Sequence, residues 1–364
     1  MEDVPGANEQ AASVLAVHIV IADPPAYTPF YDHELAQALA RAGADVTLLT
    51  SRFRFGEVPT PDGYSRRERF YPVSSRVFRR SPLRLPVKAI EHPFVLAELA
   101  ATLADVVHVQ WLSVPQVDRR LLHMRPPTVF TAHDLLPRRT AAKRDLWRGI
   151  LRRFDRVVVH SEHGRETLVE LGVDEERVRV VPLPVSPSSV ERRDDGRTLL
   201  FFGIIRPYKG LPDALEVVRR ISDARLVVAG DPAMPLDGLG TERVDWRLGY
   251  LDDAEVDRAL ADATVALFPY RPELDQSAAL ARVLGAGIPA VAYDVGGVAE
   301  PVQRYGAGRV VPAGDVDALE AAVRELLDDA AALARARTGA QRAREELTWE
   351  RAAEAHLAIY RELT

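Results

Sequence analysis

Short apolar runs alternate with helical patterns along the first half of the chain. The run at 14–21 is almost entirely apolar, as is typical of a strand that is buried on both faces of a parallel sheet. An amphipathic segment at 32–42 follows, stops at Gly43 and leads into a second run at 45–50. Further runs lie at 105–110, 128–132, 156–160 and 178–182. This order predicts βαβ units and a doubly wound parallel sheet.

A second series of the same kind follows a stretch rich in proline, serine and charge, 186–197, which we interpret as an interdomain linker. Its apolar runs lie at 198–202, 225–229, 264–269, 290–293 and 308–312. Beyond residue 315 the pattern is helical, and Thr348 is a candidate N-cap for a final amphipathic helix. We therefore expect an α/β protein with two Rossmann-like doubly wound domains facing across a cleft. Their expected bounds are 14–185 and 198–346, followed by a last segment at 347–364.

Composition narrows the class of protein. A length of 364 residues favours two domains over one core, and the net charge of −6 argues against a nucleic-acid binder. The chain has no cysteine, which excludes disulfides and thiolate metal sites and fits a reducing compartment. No stretch of it approaches the ~20 apolar residues of a membrane span. Residues 1–13 are polar and small, so we expect a disordered leader and a cytoplasmic protein.

The segment 274–280 predicts a loop that opens a helix. Such a helix N-terminus presents free N–H groups and the positive end of the helix dipole, which suits a phosphate. Beyond the next strand, the turn at Gly296-Gly297 lets the backbone approach a ligand closely. Two such turns around one strand indicate a diphosphate site. Its candidate binding residues are Gln276, Ser277 and Ala278.

Two cations follow the first apolar run of the second series. Arg206 and Lys209 lie between Gly203 and Gly210, where the carboxyl end of a strand is expected. Arginine can hold a phosphate through two parallel hydrogen bonds, and lysine can neutralise it as a point charge. The alternative is a solvated basic turn. Because a second phosphate-type loop belongs to the same domain, we favour a role for Gly203, Arg206 and Lys209 in binding a diphosphate.

A histidine ends one of the apolar runs of the first series. His133 follows 128–132, so it should face the cleft and could hydrogen-bond a sugar hydroxyl or a phosphate. A purely structural histidine is the alternative. His108 lies inside a run, which favours packing, whereas the role of His160 and His163 stays open.

Two further segments each allow a functional and an ordinary interpretation. Tyr250 and Leu251 precede a helix expected near Asp252, and they could contact a nucleobase or simply form the helix entry. The segment 76–88 is basic with interleaved apolar residues. It could touch an anionic membrane surface or an acidic acceptor, or it could be a solvated loop and helix face.

Taken together, these motifs resemble the family 4 glycosyltransferases, retaining enzymes of the GT-B fold. The resemblance covers nearly the whole chain and is strongest in the second domain. The segments that carry it are 201–210, 226–230, 248–250, 268–270, 275–277, 287–289, 294–300 and 349–360. The spacing typical of metal ligands and of nicotinamide-binding turns is absent from the sequence.

The resemblance implies a role for each candidate residue. The second domain would bind a nucleotide-diphospho-sugar and the first an acceptor, with no metal and no other cofactor. Lys209 and Arg206 would neutralise the departing diphosphate. The backbone of Ser277 and Ala278 would hold its distal phosphate, and His133 would contact the donor sugar. The final helix would cross back onto the first domain.

The chain departs from the family at the usual pair of glutamates, whose positions are Leu274 and Arg282 here. Glu273 or Asp275 could stand in for the first, and Arg282 could still reach a phosphate or the ribose. The arginine that the family carries beside the first glycine is Ile204, for which Arg206 would compensate. These departures indicate a branch of the family with an Asp-Gln-Ser loop.

We therefore expect a retaining, metal-independent glycosyltransferase that acts on a glycan, lipid-linked or small-molecule acceptor. Two alternatives remain at this point: a non-catalytic nucleotide-sugar-binding partner of another transferase, and a nucleotide-sugar epimerase of the same fold. The high arginine and alanine content suggests a bacterial source. Catalytic candidates are His133, Arg206, Lys209 and Asp275. Peripheral contact with the inner face of a membrane is compatible with the basic segment.

Overall fold

A computed structural model of the chain describes residues 16–77, 82–136, 140–188, 190–240, 242–271 and 276–364. The expected leader at 1–13 lies outside the described residues, as do Glu273, Leu274 and Asp275 and the stretch 78–81 of the basic segment. Within the described part, no helix is both long and apolar enough to cross a membrane.

In the described part of the first half, seven parallel strands form one sheet. The strands are β1 (His18–Asp23), β2 (Asp45–Ser51), β3 (Ser65–Phe70), β4 (Val106–Val109), β5 (Thr128–Thr131), β6 (Arg156–Val159) and β7 (Val178–Val180). They are ordered β3-β2-β1-β4-β5-β6-β7. The strand order reverses between β1 and β4, and open α/β sheets bind ligands outside the carboxyl ends of strands at such a point.

Helices cover both faces of this sheet. They are α1 (Pro29–Arg41), α2 (Pro72–Arg76), α3 (Arg84–Ala101), α4 (Pro115–Leu121), α5 (Arg144–Leu151) and α6 (Glu162–Glu170). Helix α1 begins at Pro29, earlier than the expected 32, because proline has no N–H to satisfy and its φ suits a first helical turn.

A second sheet of parallel strands follows in the described part of the second half. Its strands are β8 (Thr198–Phe202), β9 (Arg225–Gly230), β10 (Val244–Leu248), β11 (Val265–Phe268), β12 (Ala290–Tyr293) and β13 (Gly308–Val311). They are ordered β10-β9-β8-β11-β12-β13, so the order reverses between β8 and β11. Its helices are α7 (Leu211–Arg220), α8 (Asp253–Asp262), α9 (Ala278–Gly285), α10 (Ala299–Tyr305), α11 (Val316–Asp328) and α12 (Ala330–Glu346).

The last helix, α13 (Trp349–Arg361), packs against the first sheet rather than the second. Thr348 caps its N-terminus by accepting a hydrogen bond from the N–H of Arg351. Tyr360 is fully buried beside Leu35 and Leu39 of α1. Burial of this kind contributes roughly 1.5–3 kcal/mol for each large side chain, so α13 ties the two halves of the molecule together.

The expected linker, 186–197, lies along the second half of the molecule and forms backbone hydrogen bonds with it. Ser188 donates its N–H to the carbonyl of Gly285 at 3.0 Å, and Arg193 donates to that of Ala261 at 2.8 Å. The chain passes from the first half to the second near Val185 and returns to the first half near Leu347. These two segments lie side by side, because the N–H of Val185 donates to the carbonyl of Leu347 at 2.7 Å.

Strands β3 and β10 were not among the predicted strands. Both lie at an edge of their sheet and alternate exposed polar with partly buried positions. Edge strands commonly carry charged side chains, which suppress pairing with other chains. The search for continuous apolar runs therefore missed both.

Candidate active site

The loop after β8 is shaped by a glycine. Gly203 has a φ of +95°, and a Cβ added to it would lie 2.9 Å from Nζ of Lys209. Its carbonyl in turn would lie 2.2 Å from a Cβ on Gly230, at the end of β9. Two adjacent strands therefore end in glycines that leave room for the backbone and for the Lys209 side chain.

Lys209 is the buried cation of this site. It closes the 3-10 turn Pro207–Lys209 and is only 7% exposed, with Nζ 5.3 Å from the ring centre of Tyr270. Burial, and secondarily the charge of Arg206, lowers the pKa of Lys209 to about 8. Within the described residues Lys209 forms no ion pair with a carboxylate. An anionic ligand would supply the missing countercharge.

The N-terminus of α9 forms the opposite wall. Ser277 is its N-cap, and its Oγ accepts a hydrogen bond from the N–H of Leu280 at 3.2 Å. The buried hydroxyl of Tyr270 lies 3.2 Å from the same oxygen. Tyr270 thus contacts both Lys209 and the helix cap, and it connects the loop after β8 to the N-terminus of α9.

Between these walls lies a cavity of about 390 Å³ at the carboxyl ends of β8 and β11. It contains most of the residues that the sequence nominated. Those on its wall are Gly203, Arg206, Lys209, Gln276, Ser277, Ala278 and Arg282. Arg206 is exposed at the rim, and Arg282 lies 3.6 Å from the carboxylate of Asp253, a partner that the sequence did not indicate.

Tyr250 and Leu251 do not line this cavity. They follow β10, which is separated from β8 by β9, and Tyr250 is 72% exposed. Asp252 beyond them forms a capping box with Glu255 at the start of α8. The turn at Tyr250 and Leu251 therefore forms the entry to helix α8, as one of the two interpretations expected. A contact with a nucleobase stays a prediction.

The second glycine turn has a different position from the one expected. A Cβ on Gly297 would lie 2.3 Å from Nε2 of Gln276 and 2.5 Å from Cβ of Ser161 in the first half of the molecule. Gly297 does not line the 390 Å³ cavity. The close approach that Gly297 makes possible in this structure is to protein, and a contact of this turn with a diphosphate stays a prediction.

His133 follows the end of β5 in the first half of the molecule, and aromatic rings pack against it. It stacks on Trp111 at 5.3 Å between ring centres, and Tyr31 meets it edge-on at 4.8 Å. Burial, then the neighbouring His160, lowers its pKa well below the ordinary value. His133 is therefore a neutral hydrogen-bonding group in this site.

Both ring nitrogens of His133 already have protein partners. Nε2 lies 2.8 Å from the side-chain amide of Gln110, and Nδ1 lies 3.3 Å from Nε2 of His160. His160 donates through Nδ1 to the carbonyl of Val181 at 2.9 Å, and neutral His133 donates through Nε2 to the amide oxygen of Gln110, so neither nitrogen of the 3.3 Å pair carries a proton. Nδ1 of His133 could therefore accept a hydrogen bond from a substrate hydroxyl, in place of its 3.3 Å contact with His160, but it could not donate one.

The two remaining histidines named from the sequence differ in environment. His108 is fully buried and contacts the hydroxyls of Tyr360 and Thr131 at 2.7 Å each, in agreement with the packing role. His163 is exposed, and its backbone N–H donates to the carboxylate of Glu300 at 2.7 Å. Trp111 is a functional candidate that sequence reasoning did not single out, whereas Glu300 was named only as part of the motif 294–300, with no role assigned to it.

Another cavity, of about 420 Å³, lies near Thr128 and Asp155 at the amino ends of β5 and β6. It is on the edge of the sheet opposite to the site described above. Among the described residues, no group of three or more potential ligands could hold a metal ion.

Comparison with known families gives two adjoining matches. The profile described as Glycosyltransferase Family 4 matches residues 31–189, and that described as Glycosyl transferases group 1 matches residues 196–329. Apart from β1, which precedes the first match, the strands of both sheets lie within profiles of sugar-transferring enzymes.

Similar sequences include the MMP alpha-(1->4)-mannosyltransferase of Mycolicibacterium hassiacum. It is 26% identical, and the alignment covers 91% of this chain and 93% of that protein. The 2-deoxystreptamine glucosyltransferase of Streptomyces kanamyceticus is 30% identical over 58% of this chain and 62% of its own length.

Solved structures with the same fold include the sucrose-phosphate synthase of Thermosynechococcus elongatus. Its TM-score is 0.71 at 20% identity, with 95% of this chain and 98% of that chain covered. Anabaena HepE in complex with UDP-glucose gives a TM-score of 0.69 at 13% identity, with 95% and 100% covered.

Proposed function

This chain belongs to the family 4 glycosyltransferases, with two Rossmann-like domains in the GT-B arrangement, and we propose that it is a retaining, metal-independent member. It transfers a sugar from a nucleotide-diphospho-sugar to a hydroxyl group. The acceptor that we propose is a glycan, a lipid-linked molecule or a small molecule, bound by the first domain.

The observation that carries this proposal is the buried cation of Lys209 opposite the N-terminus of α9. A buried ammonium without a carboxylate partner is costly, and a diphosphate between it and Ser277 would offset that cost. The cavity of about 390 Å³ is of the size of a ligand pocket. Arg206 at its rim supplies a second positive charge.

Fixed positive charge supports a mechanism without a metal ion. As the bond from the sugar C1 to the phosphate oxygen breaks, negative charge grows on the diphosphate. Lys209, Arg206 and the N–H groups at Ala278 are held in place before this happens, so stabilisation of that charge costs little reorganisation. We propose that they supply the charge stabilisation that a divalent cation supplies in other transferases.

The configuration at the sugar C1 is retained if the acceptor approaches the same face of the sugar from which the diphosphate departs. The new C1–O bond forms there, and the proton of the acceptor hydroxyl passes to the leaving phosphate oxygen. In this proposal, neutral His133 orients the donor sugar, and Asp275 contacts its hydroxyls. Tyr250 and Leu251 contribute to the pocket for the base, and Arg282 binds a phosphate or the ribose.

Relatives of the chain are named as mannosyl- and glucosyltransferases, and HepE is described in complex with UDP-glucose. We therefore propose a hexose donor. Binding to the native state raises the melting temperature, so a thermal-shift series with UDP, GDP, ADP and TDP in EDTA tests the donor site.

One diphosphate is expected to raise the melting temperature, and its hexose conjugate should be hydrolysed or transferred by the purified chain. Binding without either reaction would instead favour a non-catalytic binding partner. Conversion of the donor into an epimer would favour an epimerase. No shift with any of the diphosphates would contradict the proposed donor site.

A further inference from the structure

Three cations of the first half lie within electrostatic range of one another, and none of them lines the donor cavity. Arg54 follows β2, Arg84 begins α3, and Lys88 lies one turn further along that helix. Lys88 is only 9% exposed, and its Nζ lies 4.4 Å from the ring centre of Tyr71 and 6.0 Å from that of Tyr27. We call these three residues the cation cluster.

Members of the cation cluster repel one another. Burial, followed by the charge of Arg84, lowers the pKa of Lys88 to about 8. The same two causes, in the same order, lower the pKa of Arg54. Like charges gathered at a partly buried place destabilise the folded protein unless a counterion joins them.

Nearby protein groups do not balance this charge. Among the described residues, no member of the cation cluster forms an ion pair with a carboxylate, and the buried Nε atoms of Arg54 and Arg84 have no hydrogen-bond partner. The adjoining stretch 78–81 contains no acidic residue in its sequence.

Two carboxylates lie within electrostatic range of Lys88, and each already has other protein partners, although Oδ1 of Asp23 has no hydrogen-bond partner. Asp118 contacts Nε2 of His92 at 2.8 Å and accepts the N–H of Val114 at 2.9 Å. Asp23 accepts the N–H of Thr28 and pairs with the buried carboxyl of Asp32; burial raises the pKa of both carboxyls.

A row of aromatic rings connects the cation cluster to the reacting centre. Tyr27, which Lys88 faces, meets the edge of Trp111 at 5.4 Å between ring centres. Trp111 in turn stacks on His133 at 5.3 Å. Aromatic faces suit the apolar faces of sugar rings. A molecule lying along this row would thus place one end at the cation cluster and the other at His133.

We propose that Arg54, Arg84 and Lys88 bind a phosphate group on the acceptor, which lies along Tyr27 and Trp111 with its reacting hydroxyl near His133. This inference rests on the proposed glycosyl transfer. Two arginines offer paired N–H donors in the geometry of phosphate oxygens, which several cations can contact at once. The phosphate belongs either to a free phosphorylated sugar or alcohol, or to a lipid headgroup.

The test measures anion binding with the donor site already filled. Protein saturated with the nucleoside diphosphate that it binds is titrated with glucose 6-phosphate and with glucose, and separately with vesicles of phosphatidylinositol or phosphatidylcholine. The variants are Arg84→Gln and Lys88→Met, and exposed Arg67→Gln on β3 is the matched control.

The phosphorylated probe is expected to bind in preference to its neutral counterpart, either as the free sugar phosphate or as the anionic vesicle. Each variant of the cation cluster should weaken this binding about tenfold, as expected for one charge-assisted hydrogen bond, and Arg67→Gln should leave it unchanged. Which of the two probes binds identifies the source of the phosphate.

The inference is overturned if neither phosphorylated probe binds, if glucuronate binds in their place, or if Arg84→Gln and Lys88→Met bind as the unmodified protein does. Affinity for the nucleoside diphosphate is measured on every variant. If that affinity is retained while phosphate binding is absent, only the cation cluster proposal fails. Loss of nucleotide binding by the unmodified protein would instead contradict the proposed function.

Discussion

The backbone N–H of His163 donates to the carboxylate of Glu300 at 2.7 Å, across the two halves of the molecule. Glu162 donates its N–H to the other oxygen of the same carboxylate at 3.0 Å. One acid from α10 therefore caps the N-terminus of α6, where the helix dipole favours negative charge. This contact closes the two halves against each other beside Gln276, which also lines the 390 Å³ cavity.

Replacement of Glu300 by glutamine should weaken this closure. A glutamine side chain carries no charge and has only one oxygen acceptor for the two N–H groups. We expect a loss of about 1–2 kcal/mol in the free energy of the contact. Small-angle scattering should show a larger radius of gyration for Glu300→Gln, and Glu354→Gln, at an exposed position on α13, should not differ from the unmodified protein.

Lys209→Met should separate nucleotide binding from folding. Methionine keeps the unbranched shape, and it removes a buried charge that has no carboxylate partner in the described part. We expect an unchanged or higher free energy of unfolding but at least ~100-fold weaker binding of a nucleoside diphosphate, as measured by calorimetry. Lys143→Met, at an exposed lysine, is the control. Retained affinity in Lys209→Met would contradict its assignment.

Nucleotide affinity should fall as the pH rises above about 8. In the free protein the pKa of Lys209 is lowered to about 8, chiefly by burial, whereas a bound diphosphate would favour its charged form. Above pH 8 binding must first add a proton to Lys209, and the decline approaches about tenfold per pH unit. Calorimetry between pH 7 and pH 10 measures it. Lys209→Arg, which stays charged, should show a flat profile.

His356→Leu should stabilise the protein, and more so in acid. His356 is fully buried, and neither ring nitrogen has a hydrogen-bond partner among the described residues. Burial lowers its pKa from 6.5 to about 3. Between these values only the unfolded chain binds the proton, so the free energy of unfolding falls as the pH is lowered through 6.5.

Removal of this histidine should raise the free energy of unfolding by about 1 kcal/mol at pH 7. The gain should be larger by about 2 kcal/mol at pH 5. Urea unfolding at both pH values measures the two gains. Exposed His123→Leu should produce no such difference, and an equal effect of His356→Leu at both pH values would contradict the argument.

Gly203→Ala should damage the donor site through a single added carbon. Gly203 and Gly43 have nearly the same φ, +95° and +93°, but only Gly203 has a close neighbour, Nζ of Lys209 at 2.9 Å. Both substitutions carry the backbone strain of about 1 kcal/mol. Only Gly203→Ala should also weaken nucleotide binding, because its methyl group displaces Lys209. Equal affinity in the two variants would show that this contact has no role.

The sequence predicted the central strands of both sheets well. Strands β1, β2, β8 and β9 are buried on both faces and therefore appear as apolar runs. The edge strands β3 and β10 were missed because charged residues interrupt their apolar positions. The residues of the donor cavity were predicted together for a related reason: they follow β8 and β11, and the carboxyl ends of neighbouring parallel strands lie side by side.

Local pattern therefore determined the fold class, the family and the candidate phosphate site, since each depends on residues close in the chain or on the order of strands. Only the tertiary structure decided what those residues contact. It brought Gly297 against Ser161, gave both nitrogens of His133 protein partners, and gathered Arg54 with Arg84 and Lys88. These pairings join residues far apart in sequence, and no spacing along the chain encodes them, because they arise from the packing of separate helices and loops.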